Sequence, residues 1–310
     1  MIIFFVRGYN DVDHIVPIVW KMRSEGKNVS LFCLTPDFDL YNDYRIKFLI
    51  KYGVPVRYIF EEKILVAGLL NKFIALIIRN IFPVSHFLEH LGLNFFSRKT
   101  IGIGRRGFSL LMKTSFKDEA IDYFIVKNSV KILCFDWVRP EVSIVSKLLF
   151  SATRLGRPSI ALPHGVNLCT NDDIAWNIDP KKSVGWRNSI SDSFSKVVVQ
   201  YPFFHRYLDK NDQGIEKVLV LGSARYCDEW IEKNIAISPR ALSGEICDDQ
   251  RLKCAFMATR IQYKVDVDQM KSMFKRLSEI EESKVVIKPH TRSIQENKLY
   301  YDTNLDDVSN

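Results

Sequence analysis

The sequence predicts an α/β protein with parallel sheets in two units, the second incomplete. Three observations carry this. Short apolar runs alternate with longer segments of helical period along most of the 310 residues. Two of those runs, Ala161-Leu162-Pro163-His164-Gly165 and Val285-Val286-Ile287-Lys288-Pro289-His290-Thr291-Arg292, end abruptly in Pro-His. A polar stretch rich in Ser, Pro and Gly, 233–251, separates them and reads as a crossover. The expected division is therefore 1–235, a linker at 236–251, and a partial unit at 252–310.

The elements follow in order. Residues 2–6 are a continuous apolar run that reads as a buried strand. The polar loop from Arg7 to His14 follows it, with Asp11 or Asp13 placed to cap a helix running from about 15 to 25 and closed by Gly26. Residues 29–34 form a second strand, 41–52 a helix that stops at Gly53, and 54–60 a strand entered through Pro55. Residues 62–82 read as a long apolar helix, with Gly68, Lys72 and Arg79 close to one stripe. Lys72, Arg79, Asn71 and Asn80 argue against a membrane span, and leave a buried helix with one wet edge or a helix lying in a bilayer interface. A helix at 117–126, a strand at 131–138, a helix at 141–155 and a strand at 158–163 complete a βαβ series that delivers His164. Further strands are expected at 195–200, 217–221, 252–257 and 284–287, with a helix at 265–280.

The net charge is +8, and it is localised. Between Lys63 and Lys117 stand nine Lys or Arg and one acid, Glu89, so this segment alone carries nine minus one, or +8. Because the same segment is apolar, an anionic membrane surface fits it better than nucleic acid. The six cysteines show no CxxC or metal-ligand spacing; Cys33, Cys134 and Cys254 lie in apolar runs and read as reduced core residues. A reducing cytoplasm is the expected compartment.

Candidate chemistry gathers at strand ends, because ligands of open α/β sheets bind beyond the carboxyl ends of the strands. His164 could serve as a general base or hydrogen-bond a phosphate; the alternative is a loop histidine held by carbonyls. Lys288, His290 and Arg292 alternate along an extended segment and would share one face, suited to phosphate oxygens or simply solvated. Asp11 and Asp13 could deprotonate an acceptor hydroxyl, or merely cap the helix. Gly222-Ser223-Ala224-Arg225 follows a strand and could present N–H groups to an anion. Gly102-Ile103-Gly104-Arg105-Arg106-Gly107 has the letters of a dinucleotide fingerprint but does not follow a strand in a βαβ unit, so it is rejected as one. His86 and His90 lack the Glu and the third ligand of a zinc helix, so no metal site is expected.

Four motifs in order, Pro163-His164-Gly165, Lys196-Val197-Val198-Val199-Gln200-Tyr201-Pro202-Phe203-Phe204-His205, Val220 through Trp230, and Lys288-Pro289-His290-Thr291-Arg292, carry a resemblance. The chain resembles bacterial surface-polysaccharide biosynthesis proteins of the GT-B glycosyltransferase type, relatives of the CDP-glycerol glycerophosphotransferases and the Kdo- or sialic-acid-type transferases of capsule and lipopolysaccharide assembly. The resemblance implies two Rossmann-like domains, an active site between them, and neither metal nor cofactor. It implies an acceptor and catalytic side holding Asp11, Asp13 and His164, and a donor-phosphate side holding His290 and Arg292, with Ser223 near the hinge. The substrates implied are a nucleotide-activated sugar or polyol and a glycan or lipid-linked acceptor, at the inner face of the membrane. Such proteins continue beyond the Lys-Pro-His motif, which is why the second unit is expected to be incomplete. Two other readings share the fold: a sugar-nucleotide 2-epimerase, and an inactive truncated homologue acting as a membrane-associated assembly partner.

Overall fold

The computed structural model describes residues 1–66, 68–136, 143–163, 193–200, 215–239, 250–257 and 266–288. They divide into two units, with the boundary between Ser238 and Pro239.

The first unit is built on a seven-stranded sheet of order β3-β2-β1-β4-β5-β6-β7, every pairing parallel. Its strands are β1 (Ile2–Val6), β2 (Val29–Cys33), β3 (Val56–Tyr58), β4 (Ile132–Asp136), β5 (Ser159–Leu162), β6 (Lys196–Val199) and β7 (Val218–Val220). Helices α1 (Tyr9–Ser24), α2 (Tyr44–Lys51), α3 (Leu69–His90), α4 (Asn94–Ser115), α5 (Asp118–Lys127), α6 (Ser143–Arg154) and α7 (Asp228–Ile237) accompany it. Parallel strands covered on both faces read as near-continuous apolar runs, and β2, apolar but for Ser30, is buried at all five positions. Phe5 stacks on Phe135 at 4.7 Å across β1 and β4, and Phe32 meets Phe124 of α5 edge-on at 5.6 Å. Burial pushes the thiols of Cys33 and Cys134 up to about 12, so both stay protonated. Ser159 and Ser195 exchange hydrogen bonds, each backbone N–H donating to the other's Oγ at 3.0 and 3.2 Å, which fixes β5 against β6.

The structure departs from the sequence expectation in two places. Helix α1 starts at Tyr9, with Gly8 as N-cap and no side-chain cap. Asp11 and Asp13 therefore lie inside the first turns and cap nothing. The apolar helix expected at 62–82 is α3, and a second helix of equal length, α4, returns beside it. The pair is antiparallel: Thr114 donates to Asn71, Gly107 faces Ile78, and Gly104 lies against Ile81 and Phe82. A Cβ on Gly104 would come within 2.7 Å of Ile81 and 2.8 Å of Phe82. Gly104 of the rejected fingerprint thus lets the two helices approach. The hairpin is tied to the sheet by Arg79–Glu61 (3.5 Å), Arg105–Asp37 (2.7 Å) and Phe108 against Phe60.

In the second unit β8 (Leu252–Met257) and β9 (Ser283–Lys288) pair in parallel through α8 (Val267–Ser278). Asp266 caps α8 by accepting from the Gln269 N–H at 3.0 Å. This is one βαβ unit.

Candidate functional site

Strand order turns from 3-2-1 to 4-5-6-7 between β1 and β4, and the crevice at their carboxyl ends is the topological switch point of the sheet. The register Phe5↔Phe135 brings the residues just after β1 beside Asp136, the last of β4. Arg7 Nη2 donates to Asp136 Oδ2 at 2.8 Å. Its backbone N–H and Nε both donate to Asp11 Oδ2, at 2.7 and 3.3 Å. Both carboxylates are buried. Burial works against the charge on Arg7, but the two carboxylates outweigh it and hold the guanidinium pKa above its usual value. The crevice floor is therefore a fixed Asp–Arg–Asp bridge.

Two residues further along α1, Asp13 is ion-paired with Arg45 through Oδ1 and with Arg225 through Oδ2, the latter at 3.5 Å. Arg45 also donates through Nε to Asp43 Oδ1 at 3.0 Å, and Asp43 is the N-cap of α2. Burial opposes the charge of Arg45 as well, and Asp43 and Asp13 more than restore it. Asp13 keeps 30% of its side-chain surface open, against 5% for Asp11. Pro17 has no N–H to give the Asp13 carbonyl, so α1 forgoes that helical bond where it carries Asp13 and His14.

The buried His14 ring meets Ser223 across the chain, Nδ1 to Oγ at 3.1 Å. Ser223 follows Gly222, whose φ of +79° lets the chain turn after β7 as an L-residue would not without strain. From there the chain reaches Arg225, and α7 seats on α1 and α2. Lys21 donates to both Glu229 carboxylate oxygens at 2.8 and 2.9 Å, Tyr44 donates to Asn234 at 3.1 Å, and Trp20 and Trp230 lie 5.7 Å apart.

Of the residues singled out in the sequence, the structure places Asp11 at the switch point against Arg7, pairs Asp13 with Arg45 and Arg225, and sets Ser223 against His14. Pro163 follows β5 at the same end of the sheet, but His164, His290 and Arg292 lie outside the described residues. Lys288 closes β9 in register with Met257; its side chain is also outside the description. Sequence reasoning passed over Arg7, Asp136 and Arg45. Asp136 left a signal, a lone carboxylate ending the apolar run Ile132-Leu133-Cys134-Phe135. Among the described residues no three His, Cys, Asp or Glu side chains gather as a metal site would require.

Neither a protein-family model nor a curated protein matches the sequence. Solved structures do match in fold. A Listeria monocytogenes protein assigned as a UDP-N-acetylglucosamine 2-epimerase superposes with a TM-score of 0.53 at 10% identity, over 98% of this chain and 66% of its own. S. aureus MnaA bound to UDP gives 0.51 at 10%, over 96% and 64%. The UDP-GlcNAc 2-epimerase of Methanocaldococcus jannaschii gives 0.51 at 11%, over 99% and 72%. The fold is α/β and GT-B-like. The chain spans just under two thirds of the Listeria and S. aureus proteins.

Proposed function

We propose that this protein is a nucleotide-sugar enzyme, and specifically a transferase. It would move a sugar or polyol phosphate from a nucleotide-activated donor to a surface glycan or lipid-linked acceptor, in the cytoplasm at the inner face of the cell membrane. The observation that carries the reading is the switch-point crevice itself. A parallel sheet opens there, and its floor is a bridge of fixed charges, Asp11–Arg7–Asp136, held without solvent rearrangement. The resemblance of the later motifs to transferases favours group transfer.

In this reading the two first-loop carboxylates have different tasks. Asp11 holds Arg7 and is a positioning residue. Asp13, the more open of the two, would take the acceptor hydroxyl proton, alone or with His164. Residues 252–310 would form the donor side, where Lys288, His290 and Arg292 would neutralise the leaving phosphate, with Ser223 near the hinge. The second reading is a sugar-nucleotide 2-epimerase, favoured by the fold of the solved relatives.

Calorimetry with UDP, CDP and CMP on the whole chain tests the shared part, and binding of at least one is expected. No binding of any at millimolar concentration rejects both enzyme readings. NMR of a bound sugar nucleotide without acceptor then separates them: inversion at C2 selects the epimerase and rejects transfer, while an unchanged sugar supports transfer.

A further inference from the structure

The α3–α4 hairpin exposes apolar side chains in rows. On α4 these are Phe96, Ile103 and Leu110, seven residues apart and all exposed, Ile103 at 59%. Two turns of about 3.6 residues bring each above the last, so they form one line along the helix. Lys99, Arg106 and Lys113 recur with the same spacing, three residues after each, and line the flank. They are exposed, and among the described residues none has an ion pair. On α3, Phe73, Ile77, Val84 and Phe87 form the matching exposed stripe, Phe87 at 62%, while Ile78, Phe82 and Ser85 are buried on the opposite side.

The hairpin's attachment fixes which way these rows face. Arg79 reaches Glu61, Arg105 reaches Asp37 and Phe108 packs on Phe60, so those positions mark the side toward the sheet. Gly104 and Gly107 of α4 mark the side toward α3. In an antiparallel pair the helical positions left over, 96, 103 and 110 on α4 and 73, 77, 84 and 87 on α3, lie together on the side away from the sheet. The result is a two-helix apolar face with a row of cations along one edge.

We infer that the α3–α4 hairpin docks on an anionic lipid surface, lying in the interface with this face down. Neither helix is long and apolar enough to cross a bilayer. An apolar stripe flanked by a basic row is the pattern of a helix lying in the headgroup boundary, where the stripe enters the acyl region and the cations meet anionic headgroups. A second copy of the chain fits worse. Pairing this face with itself would bring two cationic edges together, and from residue 63 to 117 the only acid is Glu89. The inference deepens the membrane location proposed above, but it is argued from the hairpin alone and survives if the reading of the crevice fails.

The test is sedimentation of the whole chain with vesicles of phosphatidylglycerol and phosphatidylcholine mixed, and of phosphatidylcholine alone. Binding to the mixed vesicles is expected, weakened by 0.5 M salt. K99E/R106E/K113E should lose about a hundredfold in partitioning, as expected for about tenfold or less per cation near the surface. F96S/I103S/L110S should lose binding too, with the cations intact. All six residues are exposed, so unchanged far-UV circular dichroism confirms the fold of each variant. Failure of the wild type to bind mixed vesicles overturns the inference. So does binding that neither triple substitution weakens. A dimer in light scattering that I103E dissolves, with no vesicle binding, assigns the face to a second copy instead.

Discussion

The crevice at the head of β1 and the α3–α4 hairpin draw on the same residue types and use them in opposite ways. At the crevice, arginine is enclosed and answered: Arg7 bridges two buried carboxylates, and Arg45 bridges Asp43 and Asp13. Phenylalanine is enclosed too, with Phe4, Phe5 and Phe135 all essentially without exposed surface. On the hairpin, Lys99, Arg106 and Lys113 face solvent, and Phe73, Phe87 and Phe96 keep more than half their surface. The difference separates two kinds of charged surface. A buried charge network is preorganised: it costs desolvation during folding and then needs no rearrangement when a ligand arrives. An exposed basic and apolar row has paid nothing in advance and gains its energy only on contact with a partner.

The sharpest way to break the comparison is to remove one arginine from each region. Arg7→Ala leaves Asp11 and Asp136 buried without their cation. Urea unfolding should show a loss of about 3–5 kcal/mol, the range for breaking a buried pair from one side. Arg106→Ala should change stability by less than about 0.5 kcal/mol, as an exposed residue outside any network does. Equal losses would mean that the hairpin charges are structural as well, and the contrast would fall.

Next in size is the hairpin's own seam. Gly104→Leu forces a side chain into space held by Ile81 and Phe82, and should cost about 1–3 kcal/mol as overpacking does. Gly102→Ala, two residues earlier, meets nothing within 4 Å and replaces a helical glycine, so it should gain about 0.5–1 kcal/mol. Thermal melts of the pair decide it. If both substitutions destabilise, the helices do not approach at Gly104 alone.

The two regions also differ in how far the sequence betrayed them. The parallel sheet was legible because fully buried strands write themselves as near-continuous apolar runs: residues 2–6 and 132–135 are unbroken, and 29–34 is interrupted only by Ser30. Asp11, Asp13 and Ser223 were legible as strand-end polar residues. Their partnerships were not, because Arg7–Asp136 and His14–Ser223 join positions 129 and 209 residues apart that only the strand order brings together. Asp11 and Asp13 read as caps because a polar residue ahead of an apolar stretch is the common cap signal. The helix instead starts at Tyr9, where Asp11 is needed to hold Arg7. Helix α4 was illegible for a different reason. Three glycines at 102, 104 and 107 lower its helix propensity, and only packing against α3 recovers what they lose. Its rows at 96/103/110 and 99/106/113 were present as a period of seven, and the helix assignment was what made them visible.

An effect the size of a single hydrogen bond concerns the link between α1 and the chain after β7. His14 Nδ1 and Ser223 Oγ are 3.1 Å apart, with the ring buried and the serine partly open. Whichever of the two donates, the bond joins α1 to a segment 209 residues later and sets the path by which Arg225 reaches Asp13. A double-mutant cycle with His14→Ala and Ser223→Ala should give a coupling of about 1 kcal/mol, the net worth of one such bond. Ser223→Ala alone should cost about 0.5–1.5 kcal/mol. It should also weaken any coupling measured between Arg225 and Asp13, because the turn that presents Arg225 has lost its anchor. Additive losses at 14 and 223 would show that Gly222 and the seat of Trp230 on Trp20 hold the segment without the bond. Ser223 would then be left open to a ligand, as the donor-side reading of the sequence requires.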